Sequence, residues 1–133
     1  MISFFKELLY FIQRGRRGYS NRDVRFFNTY LNSVIPLMLR KLKKNCVACP
    51  SEFYDYDALN NECHKWEMAL EKMARGFEAA EFINNAGYRR WVDSKDRKDA
   101  KSLEADAVAL NNAKRDMEIG LALFAENYLN LWN

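Results

Sequence analysis

A chain of 133 residues, 49% hydrophobic and 29% charged, has the make-up of one globular domain with a single core. Two prolines and five glycines are too few for a many-turned β architecture, and no apolar run approaches the ~20 residues that a bilayer span needs. The net charge of +3 argues against general coating of nucleic acid, yet it conceals a strong asymmetry. Residues 1–44 carry ten Lys/Arg against Glu7 and Asp23, a net +8, whereas residues 45–133 carry eleven against sixteen acids, a net −5. A cationic first third attracts an anion locally.

The N-terminal stretch MISFFKELLYFIQ sets Ile2, Phe5, Leu8, Leu9 and Ile12 on one side, with Phe4 and Phe11 nearby. It predicts a short amphipathic helix over 1–13, packed across the rest of the fold or joining copies in a homo-oligomer. Lys6 and Glu7 interrupt its apolar part and no small-residue cleavage site follows, which speaks against a signal peptide. Only Lys6 supplies cationic charge within these residues, a poor endowment for a membrane-surface helix.

Next comes RGRRGYSNRDV, Arg14 to Val24. Ser20 and Asp23 have the spacing of a capping box at the start of a helix, and Gly18 permits a sharp turn before it. The arginines need another reason, because cations near a helix N-terminus oppose its dipole. Arg16, Arg17, Arg22 and Arg25 beside Tyr19 and Ser20 predict either an anion site at the helix start or ion pairs to carboxylates elsewhere in the fold.

Three long helices are then expected, over 21–44, 57–84 and 95–132. Their apolar stripes run Val24, Phe27, Leu31, Val34, Met38; then Leu59, Cys63, Trp66, Leu70, Met73, Phe77, Ala80; then Leu103, Ala107, Leu110, Lys114, Met117, Leu121, Phe124, Tyr128, Leu131. Pro36 predicts a kink or break near Ser33 to Pro36. Lys114, in a core-facing slot, is expected to snorkel. Short links favour an up-down-up bundle, which makes the fold all-α: a three-helix bundle with an additional N-terminal helix, one domain over 1–133. That order brings a second basic-aromatic segment, Tyr88, Arg89, Arg90 and Trp91, to the pole that holds the arginine-rich turn. Arginine forks with aromatic faces suit phosphate and base together.

Cys46 and Cys49, followed by Cys63 and His64, contain the elements of a Cys₃His zinc set. On a helix, however, adjacent Cys63 and His64 point about 100° apart, and Cys63 falls on the core stripe. No metal and no cofactor are expected. An odd cysteine count with no sign of secretion predicts reduced thiols in a cytoplasm. His64 is the single histidine, there is no phosphate-binding glycine loop and no nucleophile elbow, so the reading is a non-enzyme. The pairs Glu67/Glu71 and Glu78/Glu81 are expected on solvated helix faces.

RGYSNRDV, VIPLMLRKLKK, WEMALEKMARGFEAA and GLALFAENYLNLWN, in this order, resemble a family of small helical proteins encoded by tailed bacteriophages. The likeness covers the chain from Arg17 to Trp132. It departs at Arg25, where the family carries an aromatic residue, and at the cysteines around Cys46 and Cys49; GYRRW is not one of its blocks. The family has no settled activity, so the resemblance implies a setting, the host cytoplasm, more than a mechanism. The function expected there is stoichiometric: a counter-defence or host-takeover protein that sequesters a phosphate-bearing ligand, such as a signalling nucleotide, or blocks a host defence protein. A virion structural or assembly protein is the alternative from another class, and a nucleic-acid-binding module the third.

Overall fold

The structure, a computed structural model, describes residues 2–87 and 100–132. Every regular element among them is helical: α1 (Ile2–Arg17), α2 (Asn21–Arg25), α3 (Phe27–Lys44), a 3₁₀ turn (Ser51–Phe53), α4 (His64–Glu81), a π-helical turn (Phe82–Gly87), α5 (Ala100–Glu126) and a last 3₁₀ turn (Tyr128–Asn130). No helix among the described residues is long and apolar enough to cross a membrane. The chain divides into two compact units, residues 1–31 and 32–133.

In the first unit, α1 runs four residues beyond the expected 1–13, because Arg14 to Arg17 continue it and Gly18 ends it. Gly18 has φ +80° and its N–H donates to the Arg14 carbonyl at 2.9 Å, so glycine sits where a left-handed stop is needed. Arg14, Arg16 and Arg17 lie in the last turn of α1, where the helix dipole favours cations.

The expected helix over 21–44 is interrupted, and at Phe26 instead of Pro36. Phe26 closes α2 with φ −117° and ψ 53°, while α3 passes unbroken through a buried Pro36. The break resets the helical phase, so the stripe drawn from Val24 through Met38 is not the buried one. Val24, Phe27 and Met38 are exposed; Asn32, Pro36 and Leu39 are buried, with Ile35 and Leu42 partly so.

The core of the second unit gathers Leu39 of α3 with Trp66, Ala69, Leu70, Met73, Ala74 and Phe77 of α4. Here the expected stripe of α4 holds. Its start does not, because residues 57–63 form turns: the Asn61 side chain accepts from the Cys63 N–H at 3.2 Å, an alternative that asparagine offers to helical bonding. Leu59 stays exposed as a result. Among the described residues of α5, Leu110, Ala113 and Gly120 are buried and Lys114 is exposed; just beyond the helix Asn127 is buried and Tyr128 is exposed. Residues 95–99 lie outside the described residues, and the end of the expected helix becomes the 3₁₀ turn after Asn127.

α4 and α5 cross at Gly76 and Gly120. A Cβ built on Gly120 would stand 2.5 Å from the Gly76 Cα, a distance that only two glycines can share. Phe77 and Phe124 then meet edge to face at 5.1 Å. α3 is joined to α4 by charge. Arg40 bridges Glu71 at 3.1 Å and also reaches Glu78, and Lys43 reaches Glu71 at 3.4 Å. Hydrogen bonds from Arg40 hold the Glu71 carboxyl below its ordinary pKa. The glutamates expected on solvated faces therefore serve as acceptors: Glu71 and Glu78 for Arg40, Glu81 for Asn32 and Asn85, Glu67 for Asn61.

Cys49 and Cys63 form a disulfide, with Cα atoms 5.7 Å apart, and Cys46 is the free thiol. This corrects the expectation of three reduced cysteines. The 3₁₀ turn places Phe53 on Trp66, ring centroids 5.0 Å apart, which folds the segment back and brings Cys49 to the start of α4.

Candidate functional site

The arginine-rich turn lies wholly within the first unit. Ser20 caps α2: its hydroxyl accepts from the Asp23 N–H at 3.2 Å, and Asp23 Oδ2 accepts from the Ser20 N–H at 2.8 Å. The Asn21 N–H donates to Gln13 Oε1 at 2.7 Å. The first amides of α2 are thereby occupied by side chains, and Ser20 is fully buried. An anion at the helix start, as the sequence suggested, finds these donors taken.

The arginines divide by what they touch. Arg14 grips the buried Asp23 through both nitrogens of its fork, Nε to Oδ2 at 2.9 Å. Arg17 wraps the Gly18 turn: Nε donates to the Tyr19 carbonyl at 3.0 Å, the fork reaches Asn21, and the guanidinium lies 4.7 Å from the Tyr19 ring centre. Arg22 pairs with Glu7 at 2.6 Å in the open. Arg25 lies 5.8 Å from the Phe26 ring. Among the described residues, Lys6, Arg16 and Arg25 make no ion pair. Within the first unit, the carboxylates that balance Arg14 and Arg22 come from α2 and α1, as Asp23 and Glu7.

The hydrogen bond from Arg14, followed by those from Ser20, holds the Asp23 carboxyl far below its ordinary value of 3.8. A lowered carboxyl stabilises the fold above the pKa of the unfolded chain and loses that effect as protons return. The N-terminal unit should therefore keep its full stability above about pH 5 and lose it progressively below about pH 4. Asp23→Ala should cost about 2 kcal/mol at neutral pH, roughly half from the cap and half from the charged bond. Circular dichroism melts at pH 3 and pH 7 check both, with the variant expected to show a weaker acid response than the parent.

Between α1 and α2 lies an open groove of about 510 Å³. Ser3, Lys6, Glu7 and Tyr10 form its α1 wall, and Asn21, Arg22, Arg25 and Phe26 form the other. Three cations face one carboxylate there, and that carboxylate already holds Arg22. Tyr10 lies 6.0 Å from the Arg22 guanidinium. The groove can accept an anion that displaces Glu7 from Arg22, with the Tyr10 and Phe26 rings beside it.

Of the residues singled out in the sequence, Arg22 and Arg25 line this groove. Arg17, Tyr19 and Ser20 build the turn beside it, Arg16 lies outside it, and Tyr88, Arg89, Arg90 and Trp91 lie outside the described residues. Lys6, Tyr10 and Phe26 were missed. The signal for Lys6 and Tyr10 was the spacing Ser3, Lys6, Glu7, Tyr10, a polar face of α1 opposite its apolar residues; Phe26 carried none. The cysteine-histidine set does not converge, since Cys49 and Cys63 are spent on each other. No protein-family model, curated protein or solved structure matches this chain, so the groove's own geometry carries the functional reading.

Proposed function

We propose that this chain is a non-catalytic binding protein of a tailed bacteriophage, a counter-defence or takeover factor of the host cytoplasm. It sequesters a phosphate-bearing ligand, such as a signalling nucleotide, in stoichiometric amount. The observation that carries the reading is the groove lined by Lys6, Arg22 and Arg25 with a single carboxylate, Glu7, and by the Tyr10 and Phe26 rings. Guanidinium forks match phosphate oxygens in pairs, and rings at the same place accept a base. Glu7 then acts as an internal stand-in, occupying Arg22 until a stronger anion arrives. The proposal includes an up-down-up order for α3, α4 and α5.

Two variants separate this reading from a merely structural ion pair. Glu7→Gln frees Arg22 and should tighten nucleotide binding about three- to tenfold, whereas Arg22→Gln should weaken it about tenfold or more. If Arg22 and Glu7 serve only the fold, both changes lower stability slightly and neither moves binding. Thermal melts against a panel of mono-, di- and cyclic nucleotides provide the measurement. A bound nucleotide at a hundred times its Kd adds about 2.7 kcal/mol of stability. A panel in which no nucleotide raises the melting temperature defeats the reading, as does recovery of the protein as a stoichiometric component of purified virions.

A further inference from the structure

The opposite side of α1 carries a second, independent feature. Three contacts tie the polar side of α1 to α2: Glu7 to Arg22, Gln13 to Asn21 and Arg14 to Asp23. The apolar side is consequently turned away from them. Phe4, Phe5, Leu8, Leu9, Phe11 and Ile12 are all exposed, Phe4 by 68% and Phe11 by 73%. At ~100° per residue these six side chains cover about half the circumference of the helix. A soluble helix hairpin ordinarily buries that half and wets the other. Here the arrangement is inverted, and a contiguous apolar face of this kind marks a surface that something covers.

Charge says what covers it. The helix extends to Arg17, which places Arg14, Arg16 and Arg17 on the same element as Lys6 and removes the shortage of cations that residues 1–13 alone suggest. Residues 1–31 hold six Lys/Arg against Glu7 and Asp23, a net +4. A second copy docked through the same face would bring two such units together and set like charges side by side. An anionic bilayer offers the complement to both features at once: acyl chains for the aromatic arc, and acidic headgroups for Arg16 and for the net positive charge of residues 1–31. Arg16 falls within the arc near its C-terminal end, where a long side chain can lay its stem along the apolar surface and lift its fork to the headgroups.

We infer that α1 lies in the headgroup region of anionic membranes and holds the protein there reversibly, in addition to whatever its groove binds. The helix is 16 residues long and rests in the plane of the interface without crossing it. This inference does not depend on the ligand proposal, because the arc and the groove are opposite sides of α1.

Vesicle co-sedimentation of the full chain tests it. With vesicles of phosphatidylcholine and 30% phosphatidylglycerol in low salt the protein should pellet, and with pure phosphatidylcholine it should stay in the supernatant. Raising the salt to about 0.5 M should release most of it, since headgroup attraction is screened within a few ångström. The double change Phe5→Gln, Ile12→Gln should weaken the anionic-vesicle affinity about a hundredfold, and Arg16→Gln about fivefold. An unchanged circular dichroism spectrum and melting curve of the full chain show that these variants remain folded. Because the wild-type comparison of the two lipid mixtures needs no variant, a misfolded variant does not shelter the inference. Three results overturn it: no pelleting with anionic vesicles, equal pelleting with both lipid mixtures, or a dimer in sedimentation velocity that Phe5→Gln, Ile12→Gln dissolves while vesicles bind nothing. The last would assign the arc to a second copy of the chain.

Discussion

Gly120→Ala is expected to lower the stability of residues 32–133 by about 3 kcal/mol or more and to drop the melting temperature by more than about 10 °C. The new Cβ would stand 2.5 Å from the Gly76 Cα, 2.6 Å from the Lys72 carbonyl oxygen and 2.9 Å from the Gly76 nitrogen. All three are backbone atoms, so no rotamer change relieves the contact and α4 must separate from α5. That separation loosens the layer of Leu70, Met73, Ala74 and Phe77, of which Leu70, Met73 and Ala74 are fully enclosed. Alanine gains about 1 kcal/mol of helix propensity over glycine, too little to offset the clash. Gly76→Ala should behave alike, its Cβ meeting the Gly120 Cα at 2.6 Å. Gly15→Ala is the control: nothing lies within 4 Å of its added Cβ, so the substitution should be neutral or stabilising by up to about 1 kcal/mol. Scanning calorimetry on the three variants distinguishes a close crossing from ordinary glycine effects. Equal melting temperatures for Gly15→Ala and Gly120→Ala would show that the helices do not approach as described.

Opening the Cys49–Cys63 bond should remove about 3 kcal/mol, the chain-entropy value for a loop of roughly 15 residues. The pair closes 14 residues of sequence separation, and the loop contains the 3₁₀ turn and the exposed Leu59. No residue between Cys49 and Cys63 is fully buried, so the covalent link does there what burial does for α4. Melting with and without a phosphine reductant gives the difference, and Cys49→Ser, Cys63→Ser should reproduce the reduced value. A thiol titration of native, unreduced protein should find one reactive group, Cys46. Three reactive groups, or a melting temperature indifferent to reductant, would contradict the pairing. A protein that works in a reducing cytoplasm would do so without this link, which leaves the α4 core as the element that must hold the unit alone.

How far the sequence discloses this molecule varies by element, and the reasons are physical. The stripe of α4 was legible because Trp66, Leu70, Met73 and Phe77 are large, apolar and spaced by three and four, and no competing residue shares their face. The turn at Gly18 and the cap at Ser20 were legible for a different reason: local hydrogen bonding decides them and no distant contact is needed. α3 was misphased because its buried positions include Asn32 and Pro36, which no hydropathy pattern selects, and because the break at Phe26 depends on a short helix folding back beneath α1. The glycine crossing was visible only as two mid-helix glycines that propensity disfavours; their meaning lies in each other, forty-four residues apart. The ion pair between Arg22 and Glu7 and the groove around it need both α1 and α2 in place. The sequence displayed the cations but not which of them would be satisfied at home.

The proposed function requires that the groove between α1 and α2 take a phosphate anion. Side-chain ¹⁵N spectra of the arginine Nε groups, recorded while inorganic pyrophosphate is titrated into the full-length protein, read this residue by residue. The Arg22 and Arg25 resonances should move together and saturate, Arg14 should stay fixed in its bond to Asp23, and Glu7→Gln should bring saturation at lower pyrophosphate. Arg22 and Arg25 remaining still throughout the titration, or all arginines drifting alike without saturation, would contradict it.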